Sequence, residues 1–151
     1  MNVFNRLFLV AALSGLAMTG KVALAQETPT APPSGVKLVE ASEVQALQAR
    51  GALILDTRKA AEYAEGSIQG ALSVPYDPEK SAKDVNFDPA QDKFDLAKLP
   101  DKNKDLVVFC NSGTCWKSYK AAIALAKAGY TKVYWYRNGF PDWKARKLPV
   151  E

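Results

Sequence analysis

Two short apolar runs, Ala52-Leu53-Ile54-Leu55 and Leu106-Val107-Val108-Phe109, each stop abruptly at a polar or reactive residue, Asp56 and Cys110. Four consecutive apolar residues without polar alternation must be covered on both faces, the condition of a strand inside a parallel sheet rather than at a solvated face. The segments between such runs fit short helices. Ser42 is placed to cap a helix over Glu43–Arg50, closed by Gly51, and Lys59–Glu65 fits another, stopped at Gly66. A longer helix begins near Trp116–Ser118 and runs to about Ala128 with Gly129 at its C-cap, and Phe140–Lys147 fits a last one before Pro149. Further strands are expected at Val36–Glu40, Ala71–Val74 and Lys132–Tyr136. Strands alternating with helices predict an α/β fold, a mostly parallel five-stranded sheet with helices on both faces. In such sheets ligands sit outside the carboxyl ends of the strands, where Asp56 and Cys110 fall.

The chain ends of this unit follow from composition. Residues 1–25 read as a secretory signal peptide: a polar start through Arg6, an apolar run from Leu7 to Gly20, and Ala23-Leu24-Ala25 as cleavage site. The run is shorter than the ~20 apolar residues needed to span a bilayer, so no stable membrane span is expected once the leader is removed. Cleavage leaves 126 residues, one domain's worth. Residues 26–35 (QETPTAPPSG) read as a flexible lead-in, and 36–150 as the domain. Within it, residues 76–105 carry eight Asp/Glu against six Lys with three prolines, and read as a polar surface insertion in which Asp95–Leu99 forms one helical turn. Without Arg6 and Lys21 the net charge falls from +4 to +2, which selects no partner. From Leu106 onward eight Lys/Arg face only Asp142 and Glu151, an excess that suits small anions or an acidic partner surface. Aromatics and bases do not interleave in a nucleic-acid pattern, and no nucleic-acid partner is expected.

The chain has no histidine and two cysteines. That removes Ser-His-Asp and Cys-His catalysis, Cys/His zinc fingers and His-ligated haem. Two thiols with no His or Met in the mature chain do not complete a metal site, and neither a metal nor a cofactor is expected. The remaining chemistry lies in Cys110-Asn111-Ser112-Gly113-Thr114-Cys115-Trp116-Lys117-Ser118. A strand delivers Cys110 to a loop containing Gly113, and a helix starts behind it. Loop amides and a helix N-terminus stabilise a thiolate and bind oxyanions without an imidazole base. Lys117 and Arg58 are candidates for added positive charge. A structural disulfide is the competing use of two cysteines in an exported chain. With four residues between them, closing that loop stabilises the fold by only about 2 kcal/mol, so a reversible disulfide or reactive thiol is the better use of the spacing.

The markers around this loop resemble the rhodanese-like domain family. Leu53 to Arg58 followed by Glu62-Tyr63-Ala64-Glu65-Gly66-Ser67-Ile68-Gln69-Gly70-Ala71 looks like the family's first signature. Val107-Val108-Phe109-Cys110 with Gly113 looks like its active loop. Tyr130 to Trp143, with Asn138-Gly139-Phe140-Pro141-Asp142-Trp143, looks like the second signature. The resemblance implies a single rhodanese-like domain acting as a sulfurtransferase. Cys110 would take a sulfane sulfur from thiosulfate or a similar donor as a persulfide and pass it to a thiophilic acceptor. It also implies that the loop from Asn111 through Ser112, Gly113 and Thr114 to Cys115 cradles the substrate, and that Asp56 and Arg58 hold the loop. From the residues themselves, Trp116, Lys117 and Arg58 are further candidates for substrate binding, and Cys115 is a candidate to join Cys110 in the chemistry. Three positions depart from the family pattern: Ser67 replaces a histidine, Cys115 takes the sixth loop position, and the stretch from Cys110 to Lys120-Ala121-Ala122 is about two residues longer. The Cys-Trp pair is similar to an exported rhodanese-like subgroup associated with pyrroloquinoline quinone-dependent alcohol catabolism. The expected setting is the periplasm, with a small sulfur oxyanion or thiol as substrate and a periplasmic protein as partner. Two alternatives stand beside this: a thiol-disulfide redox protein using Cys110 and Cys115, and a non-catalytic binding module for a periplasmic oxidase. Trp135 and Trp143 read as packing residues, while Trp116 borders the reactive loop.

Overall fold

The computed structural model describes residues 24–99 and 101–151. The leader expected over 1–25 therefore lies, up to residue 23, outside the described residues. Five strands form one sheet: β1 (Val36–Leu38), β2 (Leu53–Asp56), β3 (Leu72–Ser73), β4 (Leu106–Phe109) and β5 (Val133–Tyr136), in the order β1-β5-β4-β2-β3 with every neighbouring pair parallel. The helices are α1 (Ala41–Ala49), α2 (Ala60–Ala64), α3 (Trp116–Lys127) and α4 (Gly139–Ala145). The α/β architecture expected from the apolar runs is the one observed.

The period of two along each strand divides the core between the two faces. Ile54, Val107, Phe109 and Tyr136 point to one side, where they meet Val44 and Leu47 of α1 and Phe140 and Trp143 of α4. Leu55, Leu106, Val108, Val133 and Trp135 point to the other, against Trp116, Tyr119, Ala122 and Leu125 of α3. Those four α3 residues recur every third position, one buried stripe of the helix. All four residues of β4 are buried, as its uninterrupted apolar sequence requires.

Two local expectations change. Ser42 is not the cap of α1. Glu40 is, because the Glu43 carboxylate reaches back to accept the Glu40 N–H at 2.9 Å, and Ala41, buried, and Ser42, exposed, join the first turn. Residues 26–35 take no helix or strand, yet they are not a free lead-in. Thr28 is 3% exposed, and its N–H and Oγ1 both donate to Gly113 O at 2.7 Å. A Pro/Thr/Ser-rich stretch excludes regular structure but not docking, because such chain already has few conformations to lose.

Residues 76–105 cross the α3 face. Asp95 caps a 3-10 turn at Leu96–Lys98, and an earlier turn spans Pro89–Gln91. The segment is pinned inside by Asp92, which accepts hydrogen bonds from Lys80 N, Ser81 N, Ser81 Oγ and Tyr76 OH. Lys120 of α3, fully buried, meets Ser81 Oγ at 2.8 Å and Glu79 at 2.9 Å. Among the described residues no helix is long and apolar enough to cross a membrane.

Candidate active site

Strand β4 lies inside the sheet between β5 and β2, and Cys110 is the first residue beyond its carboxyl end. The chain then turns through Asn111–Thr114 and enters α3 with Cys115 as N-cap. Cys110 is 1% exposed and Cys115 is half-buried. Their Cα atoms are 6.1 Å apart and their sulfurs form a disulfide. The loop is thus described in its oxidised state.

The backbone of the loop is tightly tethered. Phe140 N donates to Cys110 O at 2.9 Å. Gly139, at φ +66°, packs so closely that a Cβ would stand 2.2 Å from the same oxygen. Thr57 clamps the residue before Cys110, its N–H and Oγ1 donating to Phe109 O at 3.1 and 2.7 Å. Asn111 Nδ2 donates to Glu62 Oε1 of α2 at 2.7 Å. Inside the loop, Cys115 N donates to Ser112 O at 3.0 Å, and the hydroxyls of Ser112 and Thr114 lie 3.0 Å apart. These contacts tie one end of the loop to β2, α2 and α4. The other end begins α3, whose N-terminal dipole faces Cys115.

The predicted residues divide. Asn111, Ser112, Gly113, Thr114, Cys115 and Trp116 stand at the loop, as their sequence positions require. Lys117 turns away: its Nζ donates to Tyr76 O at 2.9 Å and pairs with Asp77 at 3.2 Å. Arg58 is 4% exposed and spends its guanidinium on Asp56 at 2.6 Å and Gly66 O at 2.7 Å, beneath the Phe140 ring at 4.3 Å from its centroid. Asp56 is fully buried and also accepts from Ser67 Oγ at 2.8 Å. Among the described residues neither Asp56 nor Arg58 hydrogen-bonds the 110–115 loop; the anchor on this side is Thr57, the residue just after β2. Ser67 adds its hydroxyl to the donors that Arg58 gives this buried carboxylate.

Arg137 is the residue that sequence reasoning missed. It follows β5, and its guanidinium lies so near the loop that a Cβ on Gly113 would meet it at 2.7 Å. Its donors go to Thr28 Oγ1, Thr28 O, Pro29 O and the Glu27 carboxylate, at 2.9 to 3.2 Å. Trp116 Nε1 donates to Gln26 O at 2.9 Å. Residues 26–29 therefore form a strap across the cysteine loop, held by Gly113, Arg137 and Trp116. The other indoles are structural: Trp135 donates to Ser118 Oγ and Trp143 to Pro149 O. Tyr136, beside Phe109 in the sheet, is no proton acceptor, because burial and its hydrogen bond to Asp142 drive the phenol far up.

Chemically, the site is a disulfide that joins the residue just beyond a strand end to the N-cap of α3, whose N-terminal dipole faces Cys115. Comparison with known proteins identifies the family of the chain. The Rhodanese-like domain family matches residues 40–146. A sulfurtransferase of Allochromatium vinosum is 32% identical over 65% of this chain and 77% of its own. The thiosulfate:glutathione sulfurtransferase of Homo sapiens is 31% identical over 73% of this chain and 95% of its own. The crystal structure of a Bacillus halodurans protein superposes with a TM-score of 0.59 at 21% identity, covering 76% of each chain, which speaks to the fold alone.

Proposed function

Because the chain belongs to the rhodanese-like domain family, we propose that it is a sulfurtransferase that carries a sulfane sulfur on Cys110. The observation that carries this reading is the seat of Cys110, immediately beyond an inner parallel strand and in a loop that closes on the start of a 12-residue helix. In the first half-reaction the Cys110 thiolate attacks the outer sulfur of thiosulfate or a similar donor. A new S–S bond forms, the donor's S–S bond breaks, and sulfite leaves with its electron pair. In the second, a thiolate acceptor takes the outer sulfur and Cys110 returns to thiolate. Ser112 and Gly113 amides and the α3 N-terminus are suited to balance the charge on donor and persulfide. Asn111, held by Glu62, keeps the loop in register. The leader reading of residues 1–25 sets this chemistry in the periplasm.

A disulfide cannot accept sulfur in this way, so activity requires prior reduction by a dithiol. The test is thiocyanate formation from thiosulfate and cyanide by reduced protein. Cys110→Ser should lower the rate by about a hundredfold or more. Activity that survives this substitution overturns the assignment. The Cys110–Cys115 disulfide favours a second reading, a thiol-disulfide redox protein. Its measure is the reduction potential: a very low potential without exchange activity marks an inert staple.

A further inference from the structure

A cysteine that only relays sulfur needs its outer sulfur open to donor and acceptor in turn. Here Cys110 is 1% exposed, and the strap donates two hydrogen bonds to Gly113 O within the same loop. An acceptor from solution must work past those groups. Cys115 need not. It lies in the same loop with its Cα 6.1 Å away, and the disulfide shows that the loop brings the two sulfurs into bonding contact. As N-cap of α3, Cys115 stands where the positive end of the helix dipole favours a thiolate. A thiol held in this way competes at the effective concentrations of an intramolecular reaction.

We propose that Cys115 is the resolving thiol for a persulfide on Cys110, so that the protein releases its sulfane sulfur as hydrogen sulfide. The inference rests on the sulfurtransferase reading and names what becomes of the sulfur. The Cys115 thiolate attacks Sγ of Cys110, forming the Cys110–Cys115 bond as the bond from Cys110 to the outer sulfur breaks. The outer sulfur departs as hydrosulfide with the electron pair and takes the proton it needs from water. In sum, a persulfide and a thiol become a disulfide and hydrogen sulfide. The sulfane sulfur is reduced by two electrons, which the two cysteine sulfurs supply. An external dithiol then restores both thiols, so the overall donor of electrons is a dithiol reductant. On this view the oxidised loop is the product state of each cycle rather than a resting staple.

The experiment follows one turnover by intact mass, with sulfite and sulfide assayed in the same sample. Fully reduced full-length protein, freed of reductant, receives thiosulfate. The wild type should give one equivalent each of sulfite and sulfide and lose the mass of two hydrogens. Cys115→Ser should give sulfite, retain the mass of one added sulfur, and release sulfide about tenfold less or lower. Cys115→Ala repeats the reading without a hydroxyl. A wild type that holds the added sulfur as long as these variants, with no sulfide, overturns the proposal. If no protein yields sulfite, the thiosulfate reading fails instead. Loading Cys110 with inorganic polysulfide then still decides the role of Cys115: collapse of the wild type to the disulfide, but not of the variants, supports it, and equal persistence of the persulfide overturns it.

Discussion

At Gly139 the backbone holds φ at +66°, and a Cβ would stand 2.2 Å from Cys110 O. Substitution there faces two costs, an unfavourable backbone conformation and a collision with backbone that cannot rotate aside. Gly51 separates them, since it has φ +89° with nothing within 4 Å of its Cβ position. Urea unfolding should show Gly51→Ala costing about 1 kcal/mol and Gly139→Ala about 3 kcal/mol. Only Gly139→Ala should also slow sulfur loading, because only it displaces the Cys110 carbonyl. Equal effects of the two changes would sink the steric argument. The position of Cys110 was legible in the sequence, because an apolar run that ends at a cysteine marks a strand end. Their supports were not. Thr28 meets Gly113 across 85 positions, Arg137 meets Thr28 across 109 and Asn111 meets Glu62 across 49. No local pattern encodes such distances. The roles expected for Arg58 and Lys117 rested on charge, which says nothing of direction; each finds a carboxylate and a backbone carbonyl away from the loop.

Among the elements, the inner strands β2 and β4 were read almost to the residue because burial on both faces leaves a continuous apolar signature. The N-terminus of α1 was misplaced because Ser42 is a preferred capping residue and Glu40 is not, and the Glu43 side chain closes the cap at Glu40 instead. The segment 76–105 looked polar and superficial because composition counts its charges without saying that several point inward. Asp92 shows the consequence. Burial pushes its carboxyl up, but hydrogen bonds from Ser81 and Tyr76 outweigh burial and hold it below the ordinary carboxylate range. A carboxyl depressed in the folded state stabilises above its unfolded value, about 3.9, and that stability is lost as pH falls through the folded value. Asp92→Asn also strips a carboxylate from beside buried Lys120 and should cost about 3 kcal/mol at neutral pH. The gap between wild type and variant should stay constant above about pH 5 and narrow progressively below about pH 4. Urea midpoints across that range check it. A gap that widens on acidification would reverse the sign assigned to Asp92.

Over the whole molecule, segments 109 positions apart in the sequence meet at one place. The strap at residues 26–29 and the turn after β5 are both closed on the cysteine loop, with Arg137 joining them. Arg137→Ala should loosen the strap and leave the sheet intact. Hydrogen exchange at the Thr28 amide, which donates to Gly113 O, should quicken about tenfold or more while amides of β2 and β4 keep their protection. An unchanged Thr28 amide would show that Gly113 and Trp116 suffice to hold the strap. The strap has a practical corollary for anyone handling the molecule. Whatever is attached ahead of Gln26, whether affinity tag, fluorophore or electrode linker, is delivered to the doorstep of the two sulfurs. Glu151, whose backbone pairs with Ser67, offers the attachment point that avoids the strap.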